Sequence, residues 1–387
     1  MFFIFYAKFN KKMVKNIVIY MKNKKYKICI YAICKNEIKF IDRWYDSVKS
    51  ADYVCVLDTG STDGSFDKLK TLGIICQQKT YSNFRFDVAR NDSLKLIPKD
   101  TDICICLDMD EILLPGWKEI LLKTWKKDTT QARYRYTWSF NPDGSEGIVF
   151  MADKIHKYNQ FIWKNPVHEI LTFYDTTSQC VIELPELKVH HHADNKKSRS
   201  NYLPLLELSV KEDPTNDRNM HYLGREYMFH GRYDKAIETL NKHLQLKTAL
   251  WAEERSASYR YIANCYKMLG DYKNQEKHLL LAILEYSKSR EAYFELGVMY
   301  FENKEFLKSA FAFNEMLKIT KRELNYMSSP ICWSGLSHDY LSMCYYELKD
   351  YRKALEQVEI AISFSPTDNR LLSNRKIFID LFNSSNQ

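Results

Sequence analysis

A tyrosine recurs through the second half of this 387-residue chain at intervals that few folds can accommodate. Leu223-Gly-x-x-Tyr227 is followed by Gly231, Tyr233 and Ala236, and Ile262-Ala-x-x-Tyr266 by Gly270 and Tyr272. Leu296-Gly-x-x-Tyr300 precedes Phe306 and Ala310; Leu341-Ser-x-x-Tyr345 precedes Tyr351 and Ala354, with Pro366 closing the unit. The tyrosines lie 39, 34 and 45 residues apart. A period near 34 accommodates two helices and their turns, and a Gly, Ala or Ser at the crossing lets the pair approach closely. No such unit buries its apolar face alone, so the units must stack. The two longer intervals imply insertions around Lys247–Glu253 and Lys321–Ser337.

The first half has a different rhythm. Lys27–Cys34 reads as a buried strand, followed by Lys35-Asn36-Glu37 and an amphipathic helix to about Val48. Asp52–Asp58 is a second strand ending in Asp58-Thr-Gly-Ser-Thr-Asp-Gly-Ser65, where Ser61, Thr62 and Asp63 are expected to cap the next helix. Ile74–Gln77 is a short third strand, Phe84–Ile97 a helix carrying Arg85, Arg90 and Asn91, and Ile103–Leu107 a fourth strand. Strands alternating with helices predict a parallel, three-layer sheet. Beyond a helix over Trp117–Trp125 the pattern turns antiparallel: Ala132–Phe140, a turn at Asn141-Pro-Asp-Gly144, a return over Ile148–Met151, then Trp163–Glu169 and Leu187–Asp194.

Ligands of such sheets sit outside the carboxyl ends of the strands. Glu37, Asp58 and the trio Asp108, Asp110 and Glu111 all fall just past those ends. Three acids in four positions after a buried strand repel one another and lose hydration. Hard oxygen donors of this kind suit Mg²⁺ or Mn²⁺, which keep open positions for the oxygens of a nucleotide diphosphate. A solvated acidic loop is the competing reading. Three consecutive histidines, His190, His191 and His192, end the last strand; they are a surface feature or a further metal ligand.

Composition narrows the classes. The net charge of +8 is concentrated at the start: residues 1–36 hold nine lysines and no acid, leaving the remaining 351 residues near −1. That argues against nucleic-acid binding, which needs basic side chains across a folded face. No apolar run approaches the roughly 20 residues of a membrane span. Residues 1–25 put the apolar part before the basic part, the wrong order for a signal peptide. They read as a poorly ordered extension, with contact to an anionic membrane surface as the alternative. Ten cysteines without a C-x-x-C pair read as small buried hydrophobes of a reducing compartment, so a cytoplasmic protein is expected, peripheral at the inner membrane face if its tail binds lipid.

Ala32-Ile-Cys-Lys-Asn-Glu37, Asp58-Thr-Gly-Ser-Thr-Asp-Gly64, Asp87-Val-Ala-Arg-Asn91, Leu107-Asp-Met-Asp-Glu111 and Pro166-Val-His-Glu169 stand here in an order and spacing that resemble family-2 glycosyltransferases. The resemblance implies an α/β GT-A nucleotide-sugar-binding domain with a Rossmann-like mixed sheet over residues 26–195. An all-α tetratricopeptide-like helical repeat domain, as in bacterial members, would follow over 196–387. His192-Ala-Asp194 and Lys197–Leu203 resemble the junction of that subgroup, although Pro is more usual at the Ala193 position. The resemblance also implies roles. Ala32, Lys35, Asn36 and Glu37 would line the nucleoside site, and Asp58 would accept from a ring N–H of a uracil-type base. Asp108 and Asp110 would hold ribose and an Mn²⁺ or Mg²⁺, Arg90 would neutralise phosphate or orient Asp108, and His191, or a neighbour one register away, would complete the metal shell. Glu169 is the candidate general base, with His168 its partner and Glu111 its competitor. Trp138 and Trp163 are sugar-stacking or core residues.

The expected function is therefore metal-dependent, inverting transfer from a nucleotide-diphosphate sugar. The acceptor would be a glycan, lipid-linked or protein, with a protein partner on the repeats. A catalytically dead scaffold is the rival from another class. A nucleotidyltransferase is weaker, because no Gly-rich phosphate loop follows the first strand.

Overall fold

The computed structural model describes residues 26–141, 143–194 and 202–385. The basic extension over 1–25 and the junction residues 195–201 lie outside the described residues, as does Pro142 of the expected turn. Packing divides the chain into two compact units. The first takes in residues up to 135 together with 152–164 and 170–190; the second takes in 136–151, 165–169 and 191 onward.

In the first unit the apolar runs become β1 (Ile28–Cys34), β2 (Tyr53–Asp58), β3 (Ile75–Gln78) and β4 (Ile103–Cys106). The helices of this unit are α1 (Ile38–Val48), α2 (Ser65–Thr71), α3 (Phe86–Leu94) and α4 (Trp117–Thr124). The sheet is mixed, as expected: a parallel half is continued by antiparallel strands. Its order is β3-β2-β1-β4-β7-β6-β10-β5, and β3-β2-β1-β4 are parallel neighbours by their registers. β7 (Val149–Lys157) runs antiparallel to β4, with Lys157 opposite Ile103. β6 (Gln131–Thr137) and β10 (Val181–His191) extend the sheet, and β5 (Glu111–Leu113) closes its far edge through Leu114 N–H on the Lys188 carbonyl, 3.0 Å. The sequence reads β5 as loop because its three residues are too few to show a period. β8 (Phe161–Lys164) and β9 (Ile170–Phe173) form a separate hairpin.

The strand cysteines behave as hydrophobes. Cys29, Cys55, Cys104 and Cys106 pack with Tyr31, Ile97 and Trp163 in one cluster. Trp163, a candidate sugar platform, is therefore a core residue, its indole N–H donating to the Tyr31 hydroxyl at 3.0 Å. The helix expected from Phe84 starts at Phe86, because Arg85 is extended (φ −136°) and its guanidinium is committed to Asp87.

The second unit holds ten helices among the described residues: α5 (Tyr202–Glu212), α6 (Asp217–Phe229), α7 (Tyr233–Gln245), α8 (Ala252–Met268), α9 (Tyr272–Glu285), α10 (Arg290–Glu302), α11 (Phe306–Leu317), α12 (Leu336–Glu347), α13 (Tyr351–Phe364) and α14 (Asn369–Ser385). Each packs chiefly on its neighbours in sequence. Gly224 and Gly297 show why the small positions matter: a Cβ at Gly224 would meet Leu240 Cγ at 2.5 Å, and one at Gly297 would meet Phe313 at 2.9 Å. The first insertion is absorbed largely as an extra turn at the start of α8, which has 17 residues against 13 in α6. The second becomes the 318–335 connection with a short 3₁₀ turn at Pro330–Trp333. No helix among the described residues is long and apolar enough to cross a membrane.

Candidate active site

The parallel registers bring the acid-bearing strand ends to one lip of the sheet. Cys34 lies opposite Asp58, Tyr31 opposite Cys106, and Leu107 N–H donates to the Tyr31 carbonyl at 3.1 Å. The loops following β1, β2 and β4 therefore emerge side by side.

Asp58 is fully buried. Its Oδ1 accepts from Gly60 N–H (2.9 Å), Ser61 N–H (2.8 Å) and the Gln78 side-chain amide (2.9 Å). The left-handed φ of +105° at Gly60 is what folds the chain back tightly enough for this. Oδ2 has no hydrogen-bond partner among the described residues. A buried carboxylate oxygen in that state costs free energy unless a ligand supplies a donor.

Of the three residues expected to cap α2 only Asp63 reaches that helix, whose N-cap is Gly64; Ser61 and Thr62 bond to Asn36 instead. Asp63 Oδ1 does accept from Ser65 N–H at the start of α2, 3.0 Å. Its Oδ2 accepts from Ile38 N–H (3.1 Å), Ser65 Oγ from Glu37 N–H (2.9 Å), and Ser61 Oγ from Asn36 N–H (2.8 Å). Three donors at the start of α1 are thus satisfied from a different loop. Asn36, at φ +56°, returns the contact by accepting from Thr62 N–H, 2.8 Å. Among the other candidate nucleoside-site residues, Ala32 is buried within β1, Glu37 is buried, and Lys35 and Asn36 are exposed.

At the β4 end, Arg90 of α3 grips Asp108 with both guanidinium arms, 2.8 Å to Oδ1 and 3.1 Å to Oδ2. Arg90 is itself buried, its cation 5.1 Å from the centre of the Trp163 ring and one N–H on Cys106 Sγ. Lys154 of β7 adds a contact of 3.1 Å to Asp108 Oδ2 and another of 2.9 Å to Glu111 Oε1. Glu111 Oε2 accepts from Asp108 N–H at 2.8 Å. Burial opposes charge on Asp108, but the cations of Arg90 and Lys154 outweigh it and hold the carboxyl well below its ordinary range. For Glu111 burial wins: against Lys154, and helped by the charges of Asp108 and Asp110, it raises the carboxyl above its usual value. Asp110 is half-buried. Asn91 pins the β8 backbone, donating to the Trp163 carbonyl and accepting from its N–H, both at 2.9 Å.

Lys154 escaped the sequence reading because one lysine in an alternating strand looks like its solvent face. Its only signal is the surplus of acids, which demands a cation from somewhere.

The remaining candidates, His190 of the first unit apart, belong to the second unit. His168 and Glu169 end the loop joining β8 to β9. His168 has φ +50° and stacks on Tyr222 with 4.1 Å between ring centres; Glu169 is half-buried. His191 is buried and stacks on Trp138 at 4.4 Å, while His192 stacks on Phe140 at 5.4 Å. His191 Nδ1 lies 3.0 Å from the Trp138 carbonyl, which can only accept, so Nδ1 carries the proton. Trp138 is partly exposed.

Residues 29–175 match the family model described as Glycosyl transferase family 2. This stretch is a family-2 glycosyltransferase domain. Its curled mixed sheet is that of a GT-A domain, and the family's chemistry calls for a nucleotide-sugar donor and an acceptor. No curated protein matches the chain's sequence. Similar solved structures include MamA (19% identity over 44% of this chain and 91% of that one, TM-score 0.36). Others are YrrB, a TPR protein with an unusual peptide-binding site (16%, 46% and 83%, TM-score 0.35), and a tetratricopeptide repeat protein from Parabacteroides merdae (14%, 48% and 67%, TM-score 0.36). Tetratricopeptide-type repeats follow the glycosyltransferase domain, with Gly224 against Leu240 and Gly297 against Phe313 where paired helices cross.

Proposed function

We propose that the chain transfers a sugar from a uridine diphosphate sugar to an acceptor hydroxyl, with a divalent cation and with inversion at the anomeric carbon. The observation that carries the reading is the bare, buried Oδ2 of Asp58 at the end of β2. Oδ1 is saturated by two backbone amides and Gln78, so the carboxylate is held in one orientation with one acceptor in reserve. The ring N–H of uracil is the complementary donor.

The donor chemistry at β4 fits a hard cation. Asp108 is committed to Arg90 and Lys154 through both oxygens, which makes Asp110 the better cation ligand of the two. In this reading Asp108, rigidly held, accepts from ribose hydroxyls, and Asp110 would hold the cation beside the diphosphate. A cation so held would supply Lewis-acid stabilisation of the departing diphosphate. Glu169 takes the acceptor proton, and His168, locked on Tyr222, holds the loop that carries it. The acceptor is a glycan, lipid-linked or protein hydroxyl, and the repeats dock it or a protein partner.

The test is release of free nucleoside diphosphate from a panel of nucleotide sugars, with and without Mn²⁺. Turnover of uridine-linked donors that needs the metal is expected, and Asp110→Ala should lower it about a hundred-fold or more while leaving thermal unfolding unchanged. No metal-dependent turnover of any donor, together with no Mn²⁺-dependent nucleotide binding by calorimetry, would make the chain a scaffold instead.

A further inference from the structure

Away from the sheet, three helices of the repeat array deliver a second set of ligand atoms. His221 of α6, His243 of α7 and Glu254 of α8 each offer one donor atom, and these lie within 4.8 Å of one another. The two histidines are completely buried and Glu254 is 3% exposed. Nδ1 of His221 lies 2.7 Å from Ser258 Oγ, and Nδ1 of His243 lies 2.9 Å from the same oxygen. The Nε2 atoms of both rings are buried and have no hydrogen-bond partner among the described residues. His243 Nε2 is 3.4 Å from Glu254 Oε1, and the other carboxylate oxygen accepts from the Tyr326 hydroxyl at 3.2 Å.

We propose that this cluster is a metal site for Zn²⁺ or a similar borderline cation, held by His221 Nε2, His243 Nε2 and Glu254 Oε1. Three features carry the assignment. Two nitrogens left bare in a dry interior are costly unless something binds them. The ligand types are those of a two-histidine, one-glutamate zinc centre, with a fourth position for water. In a tetrahedral site with ligands about 2.0–2.1 Å from the metal, ligand atoms stand roughly 3.4 Å apart. The His243–Glu254 pair already has that spacing.

Ser258 then has a defined part. With its hydroxyl oxygen accepting from both Nδ1–H groups, each ring is fixed in the tautomer that turns an Nε2 lone pair to the metal. Arg218 and Arg225 place two cations near His221. Those cations oppose a divalent ion, but each is drawn onto an aromatic face: Arg218 onto Tyr222 and Tyr326, Arg225 onto Tyr222 and Phe229. Both irregularities of the repeat period meet here. The extra turn of α8 supplies Glu254, and the long connection before α12 supplies Tyr326.

The experiment uses the untagged full chain carrying Asp110→Ala, so that metal bound at the sheet does not enter the count. The protein is stripped with chelator and titrated with Zn²⁺, and with Co²⁺ for its ligand-field absorption. One equivalent of zinc, a raised thermal midpoint and a tetrahedral Co²⁺ band are expected. Glu254→Gln and His243→Gln should each remove the band. Ser258→Ala, which keeps all three ligands, should weaken zinc about ten- to a hundred-fold. Should His243→Gln fail to fold, Glu254→Gln and Ser258→Ala decide the matter. Absence of the band and of any thermal shift in the Asp110→Ala protein overturns the site. So does zinc binding that Glu254→Gln and Ser258→Ala leave unchanged.

Discussion

Removing Lys154 tests whether the acid cluster is balanced by this one ammonium. Lys154→Met keeps the length of the side chain and deletes its charge. At 2.9 Å from Glu111 and an effective dielectric of about 20, the pair attracts by roughly 6 kcal/mol before desolvation is charged against it. Breaking a buried pair costs about 3–5 kcal/mol in practice. Glu111 can limit the loss by taking up a proton, since its carboxyl is already raised by burial. We expect about 3 kcal/mol at pH 8, the low end of that range, because protonation of Glu111 caps the loss. The sign follows from linkage. A carboxyl whose folded pKa is raised is stabilising in its protonated form, so the Glu111 share of the penalty is absent below the ordinary glutamate value of about 4.5 and grows as pH rises above it. Asp108 adds a share that is nearly the same at pH 4 and pH 8, because its carboxyl is ionised at both. Its depressed pKa gives stability above the unfolded value, and part of that is lost with the lysine, although Arg90 remains. Urea denaturation followed by tryptophan fluorescence at pH 4 and pH 8 measures the difference. Glu111→Gln in the Lys154→Met background should recover about 2 kcal/mol of it at pH 8. A penalty equal at both pH values, or none, would refute the reasoning.

Other perturbations separate the parts of the site. Asp58→Asn retains an oxygen for Gly60 and Ser61 but puts an amide where the base N–H should donate; uridine diphosphate affinity should fall about ten-fold or more by calorimetry, with unfolding little changed. Glu169→Gln should lower kcat far more than it raises donor KM, and equal loss in both would remove Glu169 as the base. In the repeats, Gly224→Ala gains about 1 kcal/mol of helix propensity but forces its Cβ onto Leu240, whose backbone N is also only 3.3 Å away, so a net loss of about 1–2 kcal/mol is expected on denaturation.

Much of this molecule is legible in its residues. Four apolar runs locate the parallel strands, and acids placed just past them locate the lip, because an apolar strand followed by carboxylates has few other uses. The repeat is legible through Gly224, Ala263, Gly297 and Ser342, where helix crossings exclude bulk. What is hidden lies in pairings across distance. Lys154 meets Asp108 over 46 positions, and Ser65 caps an amide 28 positions earlier. His221, His243 and Glu254 come together only because three helices stack. Trp163 reads equally well as platform or core until the hydroxyl of Tyr31 is found on its indole. No local pattern encodes such meetings.

The stitching between the loops after β1 and β2 has a consequence for anion capture. In many nucleotide sites the opening turn of the first helix greets phosphate with unused amides. Here the amides of Asn36, Glu37 and Ile38 are already spoken for, and the Asp63 carboxylate sits among them, so a pyrophosphate brought to that turn would be repelled rather than welcomed. In the proposed reading the negative charge of a sugar donor would then be met at the other strand end, by guanidinium, ammonium and a borrowed cation, leaving the turn after β1 for an uncharged nucleoside.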